Sequence, residues 1–106
     1  MVDFEDLAFK PHNNGGRRDY FNRPTAMCES FEMHVTDLKA GVESHPPHTH
    51  IVEEIVLITA GDVSVHIDGK NVETKSGDLV FLDSNVPHSA ANIGTIVSRY
   101  FAFQWK

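Results

Sequence analysis

"HPPHTHIVEEIVLITAG", residues 45–61, carries three of the chain's seven histidines and two glutamates within its first ten positions. Two prolines stiffen its start, and a strongly apolar run follows. Side chains two residues apart on a strand point to the same face. If His48 and His50 lead into a strand that runs to residue 60, Val52 and Glu54 share their face, while Glu53, Ile55 and Leu57 point the other way. The parity selects Glu54 over Glu53. It also groups two imidazoles with one carboxylate, a nitrogen–oxygen donor set suited to a divalent transition metal. His45 precedes the two prolines, whose fixed geometry keeps it outside the ligand pair, as a residue of a pocket mouth or of a surface loop.

Outward from this stretch the chain reads as short apolar runs separated by Gly, Asp, Asn or Pro. Phe31, Met33 and Val35 alternate with Glu32, His34 and Thr36, the period-2 pattern of a half-buried strand. His34, opposite the apolar residues, is either exposed or turned into a barrel, and no role is assigned to it. After "VEEIVLITA" (52–60) come "VSVHI", a tight hairpin at Asp68-Gly69 that needs positive φ, and "NVETK". "DLVFL" (78–82), "VPHSAAN" (86–92) and "TIVSRYFAFQW" (95–105) complete the set. No stretch after residue 30 keeps helical periodicity with caps. About seven short strands at regular spacing predict an all-β sandwich or barrel, in which closure removes exposed edges.

His66 alternates with Val65 and Ile67 and reads as part of a solvated strand face. In the last strand Tyr100 and Gln104 share one parity and are candidates to line a pocket. Arg99, Phe101, Phe103 and Trp105 share the other, and their three aromatics suggest core or interface. His88 follows a turn containing Asn85 and Pro87, and beside His48, His50 and Glu54 it completes a set of three histidines and one carboxylate.

The composition bounds the rest. A chain of 106 residues, 41% hydrophobic and 23% charged, is expected to form one small soluble domain with little stability to spare. Residues 1–25 are polar and read as an irregular N-terminal extension or edge strand, with "HNNGGRR" (12–18) its clearest loop, and 26–106 as the single barrel. The formal charge of −6 argues against nucleic acid and anionic membranes, which call for basic patches; Arg17-Arg18 reads as a solvated loop. The lone Cys28 excludes an intrachain disulfide and reads as a small half-buried residue rather than a catalytic thiol. No 18-residue apolar run and no signal-peptide core are found, so the expected location is the cytoplasm.

The histidine pattern resembles the cupins, small antiparallel β-barrels of the double-stranded β-helix or jelly-roll type that are known by two motifs. The first runs Gly, five residues, His-x-His, three or four residues, Glu, six residues, Gly. This chain has Gly41, six residues, His48-Thr49-His50, three residues, Glu54, six residues, Gly61, one residue more before the histidines. The second motif runs Gly, five residues, Pro-x-Gly, two residues, His, three residues, Asn. Gly77, His88 and Asn92 fall at those offsets, with Asp83 and Asn85 in place of Pro and Gly. Asn tolerates the left-handed backbone that Gly would supply. The likeness covers roughly residues 31–105.

The resemblance implies a barrel with one divalent transition metal (Fe, Mn, Ni, Cu or Zn) near its mouth, held by His48, His50, Glu54 and His88. One or two coordination positions would stay open. The expected function is that of a metal-dependent enzyme acting on a small oxygen-rich metabolite, such as a keto acid, diketone or sugar acid, of isomerase or dioxygenase type. The alternative is a non-catalytic cupin that binds a small ligand as a sensor; no obvious acid or base beyond the ligands is visible, which favours it. A homodimer is expected, because the outward faces of "IVLI" and "YFAFQW" carry much apolar area.

Overall fold

The computed structural model describes residues 1–106. After a short 3-10 turn at Phe4–Asp6 the chain forms nine strands: β1 (Lys10–His12), β2 (Gly15–Arg23), β3 (Phe31–Leu38), β4 (Glu53–Ala60), β5 (Asp62–Ile67), β6 (Lys70–Lys75), β7 (Leu79–Leu82), β8 (His88–Asn92) and β9 (Ser98–Trp105). All pairings are antiparallel. A six-stranded sheet in the order β1-β2-β3-β9-β4-β7 faces a three-stranded sheet in the order β6-β5-β8. Each apolar run from residue 31 onward becomes a strand, because β-branched and aromatic side chains in alternation fit a pleated surface with one face buried.

The core lies between the sheets. Leu38, Ile58, Val63 and Leu82 are almost wholly buried and cluster with Val56, Val65, Val80, Ala90 and Tyr100. Burying one such aliphatic side chain contributes about 1.5–3 kcal/mol, so this cluster holds the two sheets together. On β4 the buried residues are Glu54, Val56 and Ile58, with Glu53, Ile55 and Leu57 only partly covered on the other face. The β5–β6 hairpin turns at Asp68 (φ 47°) and Gly69 (φ 83°), both left-handed as a two-residue turn of this kind requires. Asn85, at the place of the motif glycine, is also left-handed (φ 61°).

Two sequence readings are resolved here. The first concerns residues 10–23, read within an irregular extension or edge strand with a loop at 12–18; they form the β1–β2 hairpin at one end of the large sheet, and the loop is corrected, since β2 pairs with β3 from Gly15↔Leu38 to Arg23↔Phe31. The segment is polar because its order comes from main-chain ladder bonds, not from an apolar face. Gly15 is required at its start, since a Cβ there would collide with the Asp37 carbonyl oxygen. Arg17 and Arg18 are accordingly strand residues. Arg18 lies over the Phe4 and Phe9 rings, 4.9 and 4.7 Å from their centroids.

The second concerns β3. Its alternation leaves His34 either exposed or turned into the barrel, and the inward alternative is the one observed: His34, Thr36 and Leu38 line the internal cavity. Phe31 lies on the other side, stacked on Phe21 (5.4 Å) and Trp105 (6.5 Å), and Trp105 also approaches Phe81 (6.1 Å). The barrel interior is partly polar, so the more apolar face of this strand is the outer one.

Candidate metal centre

The segment 42–48 is stitched to β8 by main-chain bonds. His48 N–H donates to the His88 carbonyl and His88 N–H to the His48 carbonyl, both at 3.0 Å, which sets the two residues opposite one another. Asn85 N–H donates to the His50 carbonyl at 2.8 Å, so the left-handed turn also pins the third histidine. Glu54 enters from β4 with its side chain turned inward, 5% exposed.

The ring nitrogens of His48, His50 and His88 lie within 4.8 Å of one another, so the three could hold a metal ion. The rings meet edge to face, with centroids 4.6 Å apart for His50 and His88 and 4.8 Å for His48 and His88. Glu54 Oε1 stands 3.4 Å from His50 Nε2 and 3.6 Å from His88 Nε2. In both of these histidines Nδ1 is bound to a main-chain carbonyl at 2.9 Å, Val52 for His50 and Val86 for His88. A carbonyl only accepts, so Nδ1 carries a proton in both; in the neutral ring Nε2 is then the lone pair turned to the site, the orientation that metal-binding histidines need, and in the protonated ring Nε2 donates to Glu54.

His50 Nε2 is buried and has no hydrogen-bond partner. Leaving such a group unsatisfied costs about 1–3 kcal/mol, and a metal ion would supply the missing partner. Three imidazole nitrogens and one carboxylate form a hard-to-borderline set that fits a divalent transition metal. Gln104 Nε2 donates to Glu54 Oε1 at 3.1 Å and holds the carboxylate toward the histidines.

The electrostatics are those of a tightly grouped set. Burial pushes the Glu54 carboxyl up, but hydrogen bonds from His88 and Gln104 and the nearby histidine charges outweigh it and leave it below its ordinary value. The hydrogen bond to Glu54 holds His88 above the usual histidine value against an opposing effect of burial. Burial and the neighbouring His45, His88 and His50 depress His48.

The site opens into a cavity of about 300 Å³ between the sheets. His45, Tyr100 and Gln104 all line it, together with His48, Glu54 and His88. The His45 ring stacks on His48 with centroids 3.9 Å apart. Tyr100 is 8% exposed, and burial raises its hydroxyl, which therefore stays protonated at neutral pH. Glu53 faces Trp105 across β9 and takes no part in the lining. His66 bonds Asn71 at 2.9 Å on the other sheet, away from the cavity.

Three ionisable lining residues have no site role in the sequence reading: His12, Arg17 and His34. His34 is 7% exposed and its Nδ1 lies 2.7 Å from Glu32 Oε1, an oxygen that Arg17 also binds at 2.7 Å. The alternation on β3 carried the signal for His34, since one of its two faces had to be internal. Nothing local marked Arg17 or His12, which reach the cavity only because the N-terminal hairpin adds to the sheet.

A family model for the cupin domain matches residues 34–103. The chain belongs to the cupin family. No curated protein sequence matches this cupin, but solved structures do. It is similar to an RmlC-like cupin from Shewanella frigidimarina NCIMB 400, at 18% identity and a TM-score of 0.83 over 99% of this chain and 88% of that one. KdgF from Halomonas sp. aligns at 14% identity and a TM-score of 0.82, covering 100% and 93% of the two chains. A predicted oxalate decarboxylase from Thermotoga maritima aligns at 25% identity and a TM-score of 0.77, covering 99% and 97%. These relatives share the barrel. No helix of this cupin is long and apolar enough to cross a membrane.

Proposed function

We propose that this cupin holds one divalent transition metal through His48, His50, Glu54 and His88, and that it is an enzyme acting on a small oxygen-rich metabolite such as a keto acid, diketone or sugar acid. The observation that carries the reading is the buried, unpartnered Nε2 of His50, set among two further imidazoles and a carboxylate at the wall of a cavity. An ion bound there would act as a Lewis acid toward a carbonyl or carboxylate oxygen. The protein's own part is to orient and exclude. Val52 and Val86 carbonyls fix two imidazoles, Gln104 fixes Glu54, and the apolar wall of Val56, Val65 and Leu82 keeps bulk water from the substrate. Tyr100, protonated, offers a hydrogen bond to a substrate oxygen.

The test is elemental analysis of protein purified without a histidine tag, followed by titration of the cobalt-substituted form with 2-keto acids, dicarboxylates and diketones. Stoichiometric metal and a ligand-dependent change in the cobalt spectrum are expected. Metal at trace levels in the wild type, equal to that in a His50→Ala variant, would refute the metal reading. Binding without turnover would instead favour a sensor.

We also propose that the working form is a homodimer in the cytoplasm. Leu79 and Phe81 are about half exposed (57% and 48%) on the outer face of β7, next to the outer aromatic strip of Phe31 and Trp105. A second copy is the simplest cover for such a surface. The lone, half-buried Cys28 suits a reducing compartment.

A further inference from the structure

The internal face of the large sheet carries a second set of polar side chains that the ligand set does not use. His34, on β3, is nearly buried and lines the cavity. Its Nδ1 contacts Glu32 Oε1 at 2.7 Å, and Arg17 Nη2 donates to the same oxygen at 2.7 Å. Arg17 is in turn fixed by Asp19, through Nε at 2.7 Å. A carboxylate accepts, so His34 carries a proton on Nδ1, and in the neutral ring Nε2 is the lone pair, on the far side of the ring from Glu32. The other oxygen, Glu32 Oε2, is buried and without a partner. A buried carboxylate left half satisfied is a costly arrangement for a merely structural network. It is the arrangement that offsets a positive charge arriving on the imidazole.

The placement relative to the metal site follows from the register. Glu32, Gln104 and Glu54 form one row across β3, β9 and β4, and His34, Ala102 and Val56 form the next. β3 and β4 are therefore two strand spacings apart, about 10 Å between backbones, with His34 and Glu54 both directed into the space between. Both residues line the same cavity of about 300 Å³, which admits a small carbonyl acid with an oxygen at the histidine–glutamate cluster and a carbon near His34.

We infer that His34, oriented by Glu32 and Arg17, is the proton-transfer base of this site, and that the cupin isomerises or tautomerises small carbonyl acids with a hydrogen on the carbon next to the carbonyl. The inference rests on the metal-site reading above. In the forward step the C–H bond breaks and its proton passes to His34 Nε2. The C–H electron pair becomes the carbon–carbon double bond, and the carbonyl π pair moves onto oxygen. From the enolate the imidazolium gives the proton to the oxygen, which yields the enol tautomer, or back to carbon, which restores the carbonyl acid with its hydrogen exchanged; in either case Nε2 regains its lone pair. Atoms and electrons balance with no oxidant or further reactant, and Glu32 keeps the ring in one tautomer throughout. A positioned base of this kind accelerates proton transfer by about 10²–10⁴-fold.

The test uses the full chain loaded with cobalt, 2-oxobutanoate as the probe, and three measurements. The first is the ¹⁵N spectrum of the imidazoles, where the His34 signals are expected to show Nδ1 protonated and Nε2 bare, and to move when the probe is added. The second is the cobalt spectrum with the probe. The third is proton NMR in D₂O, in which the C3 hydrogens of the probe are expected to wash out. His34→Gln should slow this exchange at least 100-fold while metal content and the cobalt response to the probe stay as in wild type. Glu32→Gln should slow it too, and should shift the His34 tautomer balance, which a purely structural role would not require. A cobalt response without C3 exchange in the wild type would overturn the inference and leave the metal reading standing. No cobalt response at all would overturn both. If the histidine variant does not fold, the wild-type ¹⁵N spectrum decides: the opposite tautomer, or signals indifferent to the probe, refutes the role.

Discussion

Asn92 ends β8, and its side chain is almost completely buried (1% exposed) with both amide hydrogens and the carbonyl oxygen bonded. Nδ2 donates to the Leu38 carbonyl at 3.0 Å and to the Ile96 carbonyl at 2.7 Å, and Oδ1 accepts from Gly94 N–H at 2.9 Å. One side chain thereby joins the end of β3, the end of β8 and the turn that leads into β9. Replacing it with alanine leaves two carbonyls and one N–H without these bonds. At about 1 kcal/mol for each bond lost the expected destabilisation is about 3 kcal/mol, and the void left behind adds to it. For a domain of this size each kcal/mol moves the melting temperature by roughly 4–8 °C, so a fall of about 12–24 °C is expected. The assay is thermal and urea unfolding followed by circular dichroism, with a chelator present so that metal does not contribute. Asn92→Asp is the control. It keeps the acceptor for Gly94 but loses both donors and places a charge against two carbonyl oxygens, so it should be at least as damaging as alanine. A loss below about 1 kcal/mol for the alanine variant, or wild-type stability for the aspartate, would refute the argument.

Glu54→Gln should strip the metal, and Glu53→Gln should retain it near the wild-type level, measured by elemental analysis after dialysis; the reverse result would put the strand register wrong by one. Metal held by His88 and the first motif links segments distant in sequence, so a chelator should lower the melting temperature of the wild type and change His88→Ala far less; equal shifts would count against His88 as a ligand. In the metal-free protein the His88–Glu54 pair has a defined pH window. His88 lies above its ordinary value of 6.5, so its contribution is complete below about pH 6.5 and is lost as pH rises through the raised value. Glu54 lies below its ordinary 4.5, so its contribution is present above that and lost as pH falls through the lowered value. The stability gap between wild type and His88→Ala in urea should therefore narrow from pH 6 to pH 8, and a gap that widens would contradict the pairing. Light scattering should give about twice 11.9 kDa for the wild type, and Phe81→Asp should shift it toward the monomer; a wild-type mass near 12 kDa at micromolar concentration would remove the dimer.

Much of this cupin was legible one residue at a time. Short apolar runs between turn residues located the strands from β3 onward, with period-2 alternation plainest on β3, because an apolar face that must be buried is written at every second position. Asp68-Gly69 marked its hairpin through the backbone conformation the turn demands. The spacing of His48, His50 and Glu54 singled these residues out, but β4 begins only at Glu53, so His48 and His50 are placed not by strand parity but by main-chain bonds to His88 and Asn85; His88 and Asn92 followed from the second motif. Other features depended on packing between distant segments. Parity says which residues share a face, not which face is inside. On β3 the interior turned out to be the side of Glu32, His34 and Thr36, because the barrel encloses a partly polar cavity and the aromatic side found its own cover in Phe21 and Trp105. The β1–β2 hairpin has no apolar pattern to announce it; its strands exist because β3 offers an edge to pair with, and that pairing alone brings Arg17 to Glu32 and His12 to the cavity. The sequence by itself determined the strands from β3 onward and marked His48, His50, Glu54 and His88 as a set. The tertiary structure decided which face encloses the cavity, and with it the Glu32–His34 pair, since burial is a relation between segments that local alternation does not contain.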